Sequence, residues 1–405
     1  MVSMATAAKA AEKRRRRGRG ARLGRADRSP LGRWFWEIDR VLLILVTLLI
    51  SIGLIAVAAA SPAAGVRYSN ASMSFPPLYY FYRQLIWVAI AVPVMIGVSM
   101  MPKEAARRFA IGGAAVFTLM LALVPIIGNE VNGAQRWIHA GPLQIQPSEF
   151  LKPLFVVALA WVLSLKAKDP GLPIVPITGA LVGVIALLLM KQPDFGQTVI
   201  FGSIWITLLM LSGVPMRLLY WLGGAAVGGI VSAYLFYDVA RERIDNFLFQ
   251  QGDTYQTDQA HATLTNGGLI GTGPGAGTMK FRLPEPHTDY IFSVIGEEFG
   301  LIACLAIAAI YLAIVVRVFI KLLHEEDDFT LLAAAGLVTQ FGLQALINMA
   351  VNVQIAPSKG MTLPFISYGG SSMVALSMGF GLLLAFTRAN PFLKRSPYIV
   401  KWSGR

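Results

Sequence analysis

The sequence predicts an all-α, polytopic integral membrane protein of about ten transmembrane helices, with a large fourth outer loop and a broken or re-entrant segment before the last helix. Three observations predict it. The 405 residues are 55% hydrophobic and 14% charged, about half the charged share of a soluble domain. Apolar runs of span length recur along the chain. Lys and Arg fall in every second connection between those runs, the pattern that orients membrane proteins. This composition excludes a soluble enzyme, a disordered chain and a fibrous protein.

The apolar runs lie at about 41–60, 84–100, 109–127, 148–165, 172–190, 197–212, 218–237, 290–320, 330–350 and 368–388. The sixth is short, and the eighth is long enough to tilt strongly or leave the bilayer. The net charge is +13. Residues 1–40 carry +8 of it, with Arg14, Arg15, Arg16, Arg17 and Arg19 in one run. No aromatic residues interleave with that run and a span follows soon after, so it reads as an inward orientation signal and an anionic-lipid contact, not a nucleic-acid site. The following inside connections hold Lys103, Arg107 and Arg108, then Lys166 and Lys168, then Arg217, then Arg317 and Lys321, and finally Arg388, Lys394, Arg395 and Lys401. An even number of spans returns the C-terminus to the inside. The expected organisation is a basic tail over 1–40, a ten-helix domain over 41–388 and a second tail over 389–405. The first run is too long for a signal-peptide core and is expected to be retained. The lone cysteine, Cys304, allows no intrachain disulfide.

The outer segments are then 61–83, 128–147, 191–196, 238–289 and 351–367, and they hold the candidate chemistry. The second contains Asn132, Arg136 and Trp137, followed by Glu149 and Lys152 on one face of the next helix start. Pro147 suits the first turn of that helix, with Gln146 or a neighbour at the cap. Arg136 and Trp137 also suit interface anchors, and the Glu149–Lys152 pair reads equally as a structural ion pair or as function. In the third segment Asp194 reads first as a helix cap.

The fourth segment is about fifty residues long, which is unusual for a functionless loop. Residues 241–250 suit a short interfacial helix, and the Gly-rich 265–277 suits irregular backbone. Its end carries Glu285, His287, Thr288 and Asp289. Thr288 is the expected N-cap, which sets Asp289 in the first helical turn. Capping explains that carboxylate, but Glu285, His287 and Asp289 together exceed what a cap needs. Glu297 and Glu298 follow about 12 Å deeper. In the last segment, Lys359 and Ser367 lie among Pro357, Pro364, Gly369 and Gly370, a stretch that cannot sustain a helix. Non-helical backbone at membrane depth is tolerated where protein buries it or a cavity borders it. The sum is an outward cavity lined by acids, bases, Trp and hydroxyls. With four His and no usable Cys set there is no metal cage, and with no P-loop, ATP-driven pumping is not expected.

These motifs resemble the SEDS family of membrane glycosyltransferases, which polymerise peptidoglycan from lipid II. The stretches are NGAQRWI (132–138), QPSEFLK (146–152), QPDFGQT (192–198), PEPHTDYIF (284–292) with GEEFG (296–300), and GMTLPFISYGGSS (360–372). They occur in the family's order over most of the chain. GDTYQTDQA (252–260), NGGLIGTGPGAGTMK (266–280) and the long basic N-terminus resemble the cell-division branch, of alphaproteobacterial type, more than the elongation branch. The resemblance implies ten helices with both termini cytoplasmic, so that the outer segments, including 238–289, are periplasmic in the inner membrane of a bacterium, at the septum.

It also implies a reaction. The 4-hydroxyl of one lipid-linked disaccharide attacks the anomeric carbon of the growing strand, undecaprenyl pyrophosphate leaves, and the centre inverts. Asp289 matches the family's proposed catalytic aspartate. Trp137, Glu149, Lys152 and Asp194 match positions important for activity. Asn132, Arg136, Glu285, His287, Thr288, Lys359 and Ser367 complete the substrate-binding set expected here. A carboxylate can accept the proton of a poor hydroxyl nucleophile. Pyrophosphate needs charge compensation, for which Arg136, Lys152, Lys191, Lys280 and Arg282 are candidates; a divalent cation (Mg or Mn) is the one cofactor this chemistry admits. The implied partners are a class B penicillin-binding transpeptidase, division activators and membrane lipid, with no nucleic acid. A lipid-precursor flippase is the competing reading, weakened by the lack of internal repeats; an elongation-type polymerase and a scaffold for division partners are the others.

Overall fold

The computed structural model describes residues 30–69, 74–131, 134–140, 143–167, 169, 171–249, 254–358 and 360–388. The Arg14 to Arg19 run, Lys168 and the cations beyond Arg388 lie outside the described residues, as do Asn132 and Lys359. Two units divide the chain, one of residues 1–39 with 388–405 and one of residues 40–387. The first contains α1 (Pro30–Glu37).

The second begins with three long apolar helices, α2 (Arg40–Tyr68), α3 (Tyr79–Ser99) and α4 (Lys103–Ile127). A three-stranded antiparallel sheet follows, β1 (Asn129–Val131), β2 (Ala134–Ala140) and β3 (Leu143–Ile145), in that spatial order. Then come α5 (Pro147–Ser164), α6 (Ile174–Lys191), α7 (Phe195–Leu211) and α8 (Met216–Phe236). The fourth outer segment supplies α9 (Asp238–Phe249) and α10 (Tyr255–Asn266). The unit closes with α11 (Ile291–Leu322), α12 (Asp328–Asn352) and α13 (Gly370–Phe386).

Among the described residues eight helices are long and apolar enough to cross a membrane. Two more apolar helices, α7 and α13, have 17 residues each, about 26 Å, the lower limit for a span. These ten coincide with the ten apolar runs of the sequence, and the chain is a polytopic membrane protein. The centre is α13, buried along almost its whole length and packed on α3, α5 and α12. At the other extreme α8 buries no residue. Pro147 opens α5 with Gln146 at the cap, as its fixed φ suits a first turn.

Three features depart from the all-helical expectation. The sheet is too short to leave a hydropathy signal; β2 pairs Trp137 with Asn129 and Ile138 with Ile145. The fourth outer segment is mostly helical, with α10 unforeseen and α9 starting earlier than 241. Finally α11 is two helices that meet at Gly300, whose φ is 79° and ψ 178°. Its second part, 301–322, is about 33 Å long and spans a bilayer alone. Its first part is buried inside the protein over residues 291–298. This break is why the eighth apolar run is too long for one span.

A break inside the body strands backbone groups, and the Gly-rich loop after α10 meets them. Leu301 and Ile302 N–H donate to the carbonyls of Gly268 and Leu269 (3.0 and 3.2 Å), while Thr272 and Gly273 N–H donate to those of Glu297 and Glu298 (2.9 and 3.1 Å). Glycine is needed because the backbones touch. A Cβ on Gly271, which also has φ 83°, would lie 2.2 Å from the Glu298 carbonyl oxygen. Gly271→Ala should therefore cost about 3 kcal/mol or more, left-handed strain alone being about 1–3. Gly224→Ala, on the open face of α8, should be neutral. Thermal inactivation of the two purified variants in detergent measures the difference; equal stability would refute the close fit.

Candidate active site

The last outer segment enters the body without a helix. Residues 363–367 turn tightly, with Ser367 N–H donating to the Leu363 carbonyl (3.0 Å) and Phe365 at φ 63°. The turn packs against the middle of α2, where a Cβ on Gly53 would lie 2.5 Å from the Phe365 carbonyl oxygen. Tyr311 donates its hydroxyl to the Pro364 carbonyl (2.5 Å) and Gln84 its amide to that of Ser367 (3.2 Å). The Ser367 hydroxyl in turn donates to the Thr288 carbonyl (2.6 Å) and accepts from Leu363 N–H (2.7 Å). The re-entrant turn and the 285–290 loop are thus one construction, and Ser367 is its pin.

Asp289 lies in that loop. The cap of α11 is Tyr290, not Thr288, and its side chain caps nothing. Asp289 therefore precedes the helix and is not its cap, which removes the bland explanation of this carboxylate. Thr288 instead donates its hydroxyl to Glu285 (2.8 Å), whose other oxygen accepts from the Tyr68 hydroxyl (2.6 Å). These bonds hold Glu285 at a left-handed φ of 53°, a strained conformation for this residue. His287 is buried against Tyr80, with ring centroids 4.2 Å apart, and near Tyr68 and Tyr368. Burial pushes its pKa down to about 4 despite Glu285, so it is neutral and serves as an aromatic wedge.

Burial, then the neighbouring Glu285 charge, push the Asp289 carboxyl up to about 7; Arg136 opposes them and Glu149 adds to them. Three residues singled out by the sequence thus act on Asp289 electrostatically from separate elements. Arg136 projects from β2 and donates to the Gln192 carbonyl (3.2 Å) and to that of Pro193, 3.8 Å from the Asp194 carboxylate. Asp194 caps α7 through Gln197 N–H (3.3 Å), as expected. Trp137 follows Arg136 on the strand, half-buried.

Glu149 and Lys152 form a buried ion pair at 2.9 Å, with Lys152 0% exposed. Glu149 also accepts from the Gln197 amide (2.8 Å), and Lys152 also donates to Gln344 (3.2 Å). Gln344 passes the chain on to the Thr362 carbonyl (3.1 Å). Polar groups of α7, α5, α12 and the re-entrant segment are connected in one line.

Three sequence candidates lie elsewhere. Lys280, expected beside pyrophosphate, is 1% exposed and paired with Glu298, and its ammonium also donates to the Ala59 carbonyl (3.0 Å). Glu297 accepts from Met279 N–H (2.7 Å), Lys280 N–H (3.0 Å) and Asn266 (3.0 Å). The adjacent carboxylates of the eighth run therefore fasten the outer loop over the α11 break. The sequence reasoning missed the amides of α12. Gln340, Gln344, Asn348 and Asn352 recur every four residues on one helical face, a spacing that was there to be read.

Such a body, with a carboxylic acid held near neutrality between a second acid and one guanidinium at the mouth of membrane helices, is that of an integral membrane protein whose site suits proton transfer or polar-substrate chemistry. Residues 39–391 match the family described as cell cycle protein, FtsW/RodA/SpoVE. The chain is 39% identical over 370 residues to a probable peptidoglycan glycosyltransferase FtsW of Caulobacter vibrioides, covering 91% of this chain and 93% of that one. A probable peptidoglycan glycosyltransferase FtsW of Taylorella equigenitalis is 36% identical, with 85% and 96% covered. Among solved structures, the rod shape determining protein RodA of Thermus thermophilus superposes with a TM-score of 0.63 at 25% identity, over 86% of this chain and 96% of that one. A chain from a study titled as the structural coordination of polymerization and crosslinking by a peptidoglycan synthase complex reaches 0.69 at 26% identity, over 86% and 97%. The chain belongs to the FtsW/RodA/SpoVE family, and the resemblance read from its motifs is borne out.

The buried pair gives a measurable consequence. Lys152→Met should cost about 3–5 kcal/mol by leaving Glu149 buried and unpaired. The double variant with Glu149→Gln should recover most of that. Thermal unfolding of the three purified proteins checks it, and additive losses would mean the two groups act independently.

Proposed function

We propose that this chain is a peptidoglycan glycosyltransferase that joins lipid II units into glycan strands at the division septum, on the outer face of the bacterial inner membrane, with Asp289 as general base. The observation that carries this reading is the Asp289 carboxyl, free of capping duty and held near pKa 7, in a chain of this family. The relatives named as glycosyltransferases support the reaction class.

In the reaction the 4-hydroxyl oxygen of the incoming disaccharide bonds to the anomeric carbon of the growing strand as the carbon–oxygen bond to pyrophosphate breaks. The hydroxyl proton passes to Asp289, and the bonding electrons leave with the pyrophosphate. One carboxylate suffices for a single inverting displacement. A base with a pKa near 7 is both deprotonated often enough and basic enough to help. Arg136, fixed by two carbonyls and Asp194, compensates developing charge without reorganising. Glu149 and Lys152 hold one another and the helices around them; Trp137, Glu285, Thr288 and Ser367 shape the substrate side, and Asn132 and Lys359 belong to the proposed substrate-binding set by their motifs. Among the described residues no three His, Cys, Asp or Glu side chains converge as metal ligands. The partner is a transpeptidase of the penicillin-binding class, a reading supported by the synthase-complex neighbour.

The test is glycan formation from lipid II by matched amounts of folded wild type and Asp289→Asn, with the transpeptidase present. The variant should lose about 10²–10⁴-fold, the usual worth of general-base catalysis. Near-normal polymer would overturn the assignment, and lipid movement across vesicles without polymer would indicate a flippase. The pH dependence follows from the raised pKa. Only ionised Asp289 accepts a proton, so wild-type turnover should fall as pH drops through about 7. A profile flat from about pH 5.5 to 8 would contradict it.

The same reading places both tails, 1–40 and 389–405, in the cytoplasm and 238–289 in the periplasm. Single cysteines introduced in a Cys304-free background should react with an impermeant reagent from outside at 254–280. They should be protected at Lys166 and Arg217; the reverse pattern would invert the topology.

A further inference from the structure

The backbone of Asp289 is gripped from α12. Asn348 donates its amide to the Asp289 carbonyl at 2.9 Å, and Asn352 does so at 3.2 Å. Both asparagines are buried, at 2% and 0% exposure. Each has a second task. Asn348 also donates to the Met361 carbonyl (2.5 Å) on the re-entrant segment. Asn352 accepts from the N–H and hydroxyl of Ser293 (3.1 and 2.7 Å), so its oxygen serves the first turn of α11 while its amide nitrogen serves Asp289. The same amide nitrogen contacts the Asn348 carbonyl (2.8 Å), which ties the two residues together. One turn earlier on α12, Gln344 joins Lys152 to Thr362.

We propose that Asn348 and Asn352 are positioning residues for the reaction, whose amide donors fix the Asp289 backbone, and with it the carboxyl, against α12 and the re-entrant segment. The proposal rests on the general-base reading of Asp289. Two donors converge on one carbonyl in a loop whose own backbone bonds, from Thr288 and Tyr290 N–H, both end on the Glu285 carbonyl. The small cavity beside Asp289 is lined by Asn348, Val351, Gly360 and Met361, so one of the two donors borders the space next to Asp289. Displacement of about 1 Å at a reacting group can cost about 10²-fold, and these bonds are what prevent it. The ladder of amides on α12 thereby sets the base, the buried lysine and the re-entrant backbone on one rigid rail.

The divided roles of Asn352 allow a clean test. Asn352→Asp has the same shape and retains an oxygen to accept from Ser293, but it loses the donor to Asp289. Asn352→Ala loses both. Asn348→Asp loses only donors. Polymer formation is measured with purified lipid II and the transpeptidase across pH 5.5–9, alongside lipid II affinity, thermal stability and Asp289→Asn. In the folded protein Asn352→Asp should lower turnover about 10-fold or more, with lipid II affinity within about 3-fold of wild type. Its acidic limb should move to higher pH, because a new carboxylate joins Glu285, Glu149 and the opposing Arg136 around Asp289. Asn348→Asp should behave alike. A helix-capping role alone predicts that Asn352→Asp restores wild-type turnover with an unmoved limb while only Asn352→Ala fails, and that outcome overturns the proposal. If Asp289→Asn itself polymerises normally, the general-base reading has failed instead. If an Asn variant fails to fold, Asn348→Ser, a shorter residue that keeps a donor, carries the same comparison; normal turnover and limb in folded Asn348→Ser and Asn348→Asp also overturn the proposal.

Discussion

Backbone N–H and C=O groups inside an apolar body find no water, and every one must be met by the protein itself. Most of this chain satisfies that rule with unbroken helices. Two stretches do not, the break at Gly300 and the turn at 363–367, and the rest of the architecture is arranged to meet their needs. The glycine loop lies backbone to backbone against the first. Tyr311, Gln84, Ser367 and the α12 amides serve the second. The site stands between these two repairs, on backbone that is irregular yet fully tied down. A helix would have aimed side chains outward at fixed angles. The irregular backbone turns a carboxyl and several carbonyls toward one place.

The charges follow a related logic. Most of the buried ones are neutralised by a partner and by further hydrogen bonds: Glu149 with Lys152, Glu298 with Lys280, Asp194 with Arg136. Such pairs add little net stability, but removing one partner leaves the other charge buried and uncompensated. Asp289 differs because its strongest electrostatic neighbour is another acid, Glu285, and its cation Arg136 is shared with Asp194 and two carbonyls. Its carboxyl is therefore undercompensated. That is the condition that makes a carboxyl basic, and it needs a scaffold rigid enough to hold two acids together.

Much of this was legible in the sequence. Ten apolar runs, the Pro147 helix start, the Asp194 cap and the Glu149–Lys152 pair follow from local rules of length, φ restriction and i,i+3 spacing. The re-entrant segment was legible because Pro357, Pro364 and two glycines deny a helix. The cap of α11 was misplaced because Thr288 and Glu285 satisfy each other before the helix begins. Glu297 and Glu298 suggested chemistry because an intramembrane acid is costly, and nothing local reveals that residues 266–280 fold back to meet them. The role of Lys280 was hidden for the same reason: its partner Glu298 is 18 residues away, beyond a turn that no period announces. Hydropathy reports whether a residue is wrapped in apolar surroundings, and long-range polar pairing has no such signature.

The stitching of the α11 break also dictates an order of assembly. The loop that closes the break is made before the helix it closes, so it has to wait unpaired while the two parts of α11 take their places. A straight α11 would leave Glu297 and Glu298 without the partners that the break brings, and Lys280 would have no seat. The folded arrangement is therefore reached only when the loop docks, and docking selects the broken helix over the continuous one.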